Sequence, residues 1–234
     1  MFIRLTKIFL DKLSKKYPAV KFLREYSPKD HDRTEFLRKV MNFVAESKME
    51  GNYLEFGVYK GGTFVNAIRM AKGKKLNGMK FFAFDSFEGL PDIGGVDLEF
   101  KQFKSGELSF SLEKFKDNLR KGDVNFNDIA IIPGFFSDTL NTNTKRNLDI
   151  KSAAVVWVDC DLYESTVPVL DFVTDYIVDG TVIALDDWYH FRGNPNRGEQ
   201  RAFREWLQGN PNLTATEFHK YSWHGNSFII NKND

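Results

Sequence analysis

Four aspartates stand in two groups, and each group closes an apolar run. Asp159 and Asp161 follow AAVVWV in the stretch VDCD, and Asp186 and Asp187 follow TVIAL. If the two runs are neighbouring strands, about 4.8 Å apart, the carboxylates converge on one small region. Like charges that close repel unless something neutralises them. A hard divalent cation with oxygen ligands does so, and Mg2+ keeps waters that a substrate can replace. Some of the four have structural alternatives: Asp186 can cap a turn and Asp161 can begin the next helix. A second group of residues lies earlier. Glu55-Phe56-Gly57-Val58-Tyr59-Lys60-Gly61-Gly62 follows an apolar run, and its glycines let backbone approach a ligand and open a helix. The spacing is neither that of the dinucleotide pattern G-x-G-x-x-G nor that of a phosphate loop. Asp85 closes the run KFFAF, where an acidic group can accept hydrogen bonds from ribose hydroxyls; a capping Asp followed by Ser86 is the structural alternative.

These residues need elements that hold them together. From about residue 50 the chain alternates strand and helix patterns. Strands are expected at 53–58, 80–84, 128–132, 153–158 and 181–185, with helices at 63–71, 110–119, 165–177 and 199–207. Runs at 214–221 and 227–231 read as a closing hairpin, which adds an antiparallel strand at one edge. Near-continuous apolar strands separated by helices imply an α/β fold with a mostly parallel sheet covered on both faces. In such sheets ligands bind outside the carboxyl ends of the strands, where the glycines and carboxylates fall. Residues 88–109 form a long irregular loop, read as a lid. Residues 1–50 read as a helical extension to a domain spanning 51–234.

Composition narrows the function class. The chain has 234 residues with 42% hydrophobic, including 23 Phe, enough for a substantial core. Its formal charge of +1 argues against a nucleic-acid partner. The single cysteine, Cys160, forbids an intrachain disulfide and suits a reducing, cytoplasmic setting. No apolar run is long enough to span a bilayer. Phe2, Leu5, Phe9 and Leu13 recur at helical spacing, giving an amphipathic helix that could pack on the domain, pair copies of the chain as a homo-oligomer, or lie on a membrane surface.

The stretches LEFGVYKGGTF, FAFDSFEGLPD, SFSLEKFKDNL, GFFSDTL and VDCDLYESTVPVL, then the strand ending in ALDDW, resemble the macrocin O-methyltransferase family over about residues 50–208. The resemblance implies a class I methyltransferase (Rossmann-like) three-layer sandwich with a seven-stranded sheet whose last strand is antiparallel. It implies two cofactors, S-adenosylmethionine and Mg2+, and a sugar-containing small-molecule acceptor. By matching motif, Glu55, Gly57, Tyr59 and Gly61 line the methionine end of S-adenosylmethionine, Asp85 with Ser86 holds the ribose, and Gly134, Phe135 and Ser137 lie near the adenine. Asp159, Asp186 and Asp187 match the metal ligands. Asp161 and His190 are rival general bases, and Trp188 and Tyr189 are expected to wall the pocket, with a place in the aromatic core as the alternative. Residues 191–197 and the N-terminal region lie outside the matching motifs and border the acceptor side.

The implied reaction is an in-line displacement at a sulfonium methyl carbon by a substrate hydroxyl, with a vicinal diol suited to chelating a metal. Two other readings compete. A metal-dependent hydroxylase would normally use two His and one carboxylate, and an all-Asp cluster in a chain with only four His fits that poorly. A binding module without catalysis is the third.

Overall fold

The computed structural model describes residues 28–98 and 103–233; the amphipathic segment around Phe2–Leu13 lies outside them. Seven strands form one sheet in the order β3-β2-β1-β4-β5-β7-β6. They are β1 (Asn52–Phe56), β2 (Phe81–Asp85), β3 (Ile129–Pro133), β4 (Ala153–Val158), β5 (Ile177–Leu185), β6 (Leu213–Glu217) and β7 (Asn226–Lys232). β1 to β5 pair in parallel, and β7 runs antiparallel to both β5 and β6, so antiparallel pairing is confined to one side of the sheet. The closing hairpin and every expected strand are present, with ends shifted by up to four residues. The two largest shifts are in β6, which ends at Glu217, and in β5, which starts at Ile177 because the chain continues straight into the strand from the preceding 3-10 turn Thr174–Tyr176.

Period-two alternation divides the sheet's side chains between two cores. Tyr53, Phe81, Ala83, Val155, Trp157, Val182 and Ala184 face one side. There they meet helices α1 (Pro28–Glu46), α2 (Gly62–Gly73) and α3 (Leu112–Lys121) through Phe36, Leu37, Val40, Phe64 and Phe115. Leu54, Phe56, Phe82, Phe84, Val156, Val158, Ile183 and Leu185 face the other. The short helices α4 (Phe136–Thr139) and α5 (Thr142–Asn147) lie between β3 and β4 in the chain. Helices α6 (Tyr163–Val173) and α7 (Gly198–Gly209) close the second side with Val169, Leu170, Phe172, Phe203 and Trp206. The result is a three-layer sandwich in which the central strands have no polar face. Tyr53, Phe56, Phe64, Phe84, Phe115 and Trp157 are among the largest fully buried side chains.

Strand order reverses between β1 and β4, so a crevice opens outside their carboxyl ends. The long connection expected as a lid is tied down at both base and middle among its described residues. Leu90 N donates to Glu107 O at 2.9 Å and Gly106 N to Leu90 O at 2.9 Å, closing its base. Asp97 ends a 3-10 turn (Gly95–Asp97) and is 2% exposed. Its carboxylate accepts from Tyr163 N at 2.6 Å and Gly198 N at 3.1 Å, the first residues of α6 and α7. Neither helix has a side-chain cap of its own, so one remote carboxylate caps both.

Asp97→Ala strands two amide donors and is expected to lower stability by about 2–4 kcal/mol. Urea denaturation measures this, and proteolysis within residues 88–98 is expected to quicken.

Candidate active site

The parallel ladder lines up the candidate residues in one row. Phe56 is level with Phe84 and with Val158, and Val158 with Leu185. The next residue on each strand is therefore Gly57, Asp85, Asp159 and Asp186. The ladder runs one rung past the strand ends: Gly57 N donates to Phe84 O, Asp159 N to Phe56 O and Asp186 N to Val158 O, each at 2.9 Å. Backbone bonding thus holds these residues one strand spacing apart. Glycine is required at 57. Its φ is +85°, and a Cβ there would lie 1.9 Å from the carbonyl oxygen of Asp159.

A cavity of about 960 Å3 sits over this row. At one end it is lined by Glu55, Gly57, Tyr59, Gly61, Asp85, Ser86, Phe135 and Ser137, and at the other by Asp159, Asp161, Asp187 and His190. Gly134 does not reach the wall; its N–H continues the ladder to Asp85 O at 2.9 Å. Asp186 lies beneath the wall, fully buried. Trp188, expected in the wall, instead packs between Phe203 and Phe228 in the second core, and Tyr189 also lies outside the lining. The aromatic side of the cavity is supplied by Phe103 and Trp223, whose rings lie 5.6 and 5.2 Å from His190.

Asp85 braces the glycine turn. Oδ2 accepts from Val58 N at 2.8 Å and Tyr59 N at 3.1 Å, and Oδ1 from Phe87 N at 2.7 Å. Each carboxylate oxygen can accept more than one hydrogen bond, so capacity for a diol remains. Glu55 is 1% exposed in the central strand, and the Tyr53 hydroxyl donates to it at 2.6 Å. Burial pushes its carboxyl well above the usual range, while the Tyr53 hydrogen bond opposes this.

The acidic end is crowded with charge. Oxygens of Asp159, Asp186 and Asp187 lie within 4.8 Å of one another. Burial raises Asp186 and Asp187 well above the ordinary carboxylate range, and neighbouring carboxylates add to the shift. Asp159 is also raised by desolvation, against the pull of Arg33. Asp186 Oδ1 is buried and has no hydrogen-bond partner among the described residues. Asp161 adopts φ +62°, strained for a residue with a side chain, and its N–H donates to Asp187 Oδ2 at 2.9 Å. Three close carboxylates, one oxygen of them buried and unpartnered, suit a hard divalent cation.

Several contributors escape sequence reasoning. Arg33 of α1 contacts Asp186 and lies 3.7 Å from Asp159. Burial acts to lower its pKa, but Asp159, Asp186 and Asp187 outweigh this and raise it. Glu199, at the start of α7, is 1% exposed and accepts from Asp187 N at 2.9 Å. Burial and the Asp186 and Asp159 charges raise its pKa well above normal. His224, in the β6–β7 turn, bonds through Nδ1 to the carbonyl oxygen of Asp186. A Glu in the first turn of a helix signals only dipole complementarity, and an Arg 126 positions before Asp159 carries no local signal.

Arg33 is a counter-charge that a divalent ion can replace. Without metal, Arg33→Met is expected to cost about 2 kcal/mol, or about 5 °C in Tm. Added Mg2+ should raise the variant's Tm more than that of the parent protein, read by thermal melts with and without chelator.

Comparison with known proteins places this geometry. A profile of the Macrocin-O-methyltransferase (TylF) family matches residues 25–215. The Streptomyces olivaceus 8-demethyl-8-(2,3-dimethoxy-alpha-L-rhamnosyl)-tetracenomycin-C 4'-O-methyltransferase is 29% identical over 163 residues, 67% of this chain and 60% of that protein. The demethyldecarbamoylnovobiocin O-methyltransferase of Streptomyces niveus is 29% identical over 161 residues, again 67% and 60%. The match to this chain thus spans about 60% of the length of these relatives. Among solved structures, the O-methyltransferase NovP superposes with a TM-score of 0.70 at 23% identity, over 86% of this chain and 80% of that one. The calicheamicin methyltransferase CalS11 gives 0.73 at 19% identity, over 97% and 91%. The fold is that of the class I O-methyltransferases, and the chain belongs to the macrocin O-methyltransferase family.

Proposed function

We propose that this protein transfers the methyl group of S-adenosylmethionine to a sugar hydroxyl with the help of a divalent cation. The observation that carries the reading is the row Asp85–Gly57–Asp159–Asp186 beneath one continuous cavity, with donor-type residues at one end and the carboxylate cluster at the other.

At the donor end, the turn from Gly57 to Gly61 brings backbone to the cavity floor, and α2 begins at Gly62 without a side-chain cap. Its first amide donors suit the carboxylate of a methionyl group. We assign Asp85 and Ser86 to the ribose and Phe135 and Ser137, with Gly134 behind them, to the adenine, a reading supported by their place in the cavity lining or just behind it. Tyr59 and Glu55 border the methionine end.

At the acceptor end, Asp159, Asp186 and Asp187 are the proposed metal ligands. A hard divalent ion held there would lower the pKa of an acceptor hydroxyl and fix the direction of its oxygen. Asp161 and His190, Oδ1 and Nδ1 3.6 Å apart, are the pair of rival bases, one of which takes the proton. As the acceptor oxygen bonds to the methyl carbon and the carbon–sulfur bond breaks, the hydroxyl proton passes to that base. The sugar reading is supported by the rhamnosyl-bearing compound in the name of the Streptomyces olivaceus relative and by Trp223. That indole is 59% exposed at the cavity edge beside His190, offering a flat apolar face for a sugar ring.

Two experiments test the reading. Transfer from labelled S-adenosylmethionine to a panel of methyl glycosides is expected to need Mg2+ and to stop in chelator. Asp159→Asn should lose it by at least about 100-fold while donor binding, followed by calorimetry, persists. Full-rate transfer by metal-free Asp159→Asn would sink the metal role. Trp223→Ala is expected to raise KM for the glycoside about tenfold, a loss of about 1.4 kcal/mol, with donor affinity unchanged.

A further inference from the structure

Asp187 belongs to two clusters of ligand atoms. Besides Asp159 and Asp186, it groups with His190 and His224, one ligand atom from each lying within 4.8 Å of the others. The two histidines come from different parts of the chain. His190 follows β5, and His224 sits in the β6–β7 turn, closed by the Tyr221–Gly225 bridge. Tyr189 N donates to His224 O at 2.8 Å, so backbone bonding fastens one loop to the other. The imidazole rings lie 5.1 Å apart.

Each group is set as a ligand would be. Nδ1 of His190 is buried, 3.2 Å from Asp187 Oδ1, yet makes no hydrogen bond among the described residues. An orphaned buried nitrogen beside a carboxylate is costly unless something bridges them. His224 is held in orientation by its Nδ1 bond to the Asp186 carbonyl oxygen, the kind of outer contact that fixes a ligating imidazole. Asp187 is fixed twice, by Asp161 N at Oδ2 and by Glu199 at its own N–H. Phe103 and Trp223 flank His190 and supply an apolar shell.

The geometry points to a second cation site, formed by Asp187, His190 and His224, that takes a borderline transition ion, Zn2+, beside the hard-cation site. Imidazole selects zinc over magnesium, whereas three carboxylates favour the hard ion. Three protein ligands leave a fourth position open. Asp187 is common to both ligand sets and would be shared between the two ions. Zinc there engages the imidazole and carboxylate that the proposed transfer uses, so it acts as an inhibitor that magnesium does not displace. The metal-binding test below reads no methyl transfer, so its failure and the failure of the proposed function are separable.

The test uses the full chain stripped of metal and titrated with Zn2+ by calorimetry under saturating Mg2+, with bound metal counted by mass spectrometry. One zinc per chain is expected. His190→Ala and His224→Gln should each weaken it by at least about 100-fold, while Asp159→Asn weakens Mg2+ and leaves Zn2+ in place. Circular dichroism checks each variant's fold. Should His224→Gln fail to fold, His190→Ala, on a loop, decides alone. Zinc affinity unchanged in His190→Ala overturns the site, as does zinc fully displaced by Mg2+ or lost in Asp159→Asn, which would mean one shared site.

Discussion

Repulsion between carboxylates held one strand spacing apart is the constraint that the rest of this structure answers. The parallel ladder fixes Asp159 beside Asp186, with Asp187 one residue on, and neither of the first two backbones can retreat without breaking sheet hydrogen bonds. In a site this buried, water screens little of the repulsion. The side chains around the cluster act to contain it. Arg33 reaches in from α1 and the Asp161 amide donates to Asp187, while Glu199, which accepts from the Asp187 N–H, adds a further buried carboxyl behind the cluster. Burial first, and the neighbouring carboxylates after it, push Asp186 and Asp187 above the ordinary carboxylate range.

The same row explains why donor and acceptor halves share one cavity. The strand order reverses between β1 and β4, and Gly57 and Asp159 flank that reversal. Gly57 cannot carry a side chain because the Asp159 carbonyl occupies its Cβ position. The turn that floors the donor end is therefore packed against the strand that carries the first metal-type carboxylate. Asp85, one strand further, ties down the same turn through the Val58 and Tyr59 amides. A displacement at either end would be felt at the other through backbone contacts alone.

Sequence reasoning reached the sheet, its two apolar faces and the acidic strand ends because those are local signals. Apolar runs such as AAVVWV and TVIAL carry their own period, and a residue ending a strand in a parallel sheet has few places to be. It did not settle Trp188, expected in the pocket wall with the aromatic core as the alternative. A residue just past a strand end can turn either way, and this one turns into the core against Phe203. Nor did the count of four histidines reveal that His190 and His224 meet, since helix α7 and strand β6 lie between them in the chain.

By itself, the sequence determined the alternation of elements, the parallel sheet, the family and the identity of the carboxylates at the strand tips. Each of these depends on side-chain period or on motifs a few residues long. Tertiary structure alone decided what surrounds those carboxylates, namely Arg33 from the N-terminal helix, Glu199 from α7 and His224 from the last hairpin, and it also set Trp223 beside His190 and made Asp97 the cap of two helices. The physical reason is range. Hydrogen bonds, ion pairs and ring contacts act over a few ångströms in space, and only the closed fold brings residues so far apart in the chain to within that distance.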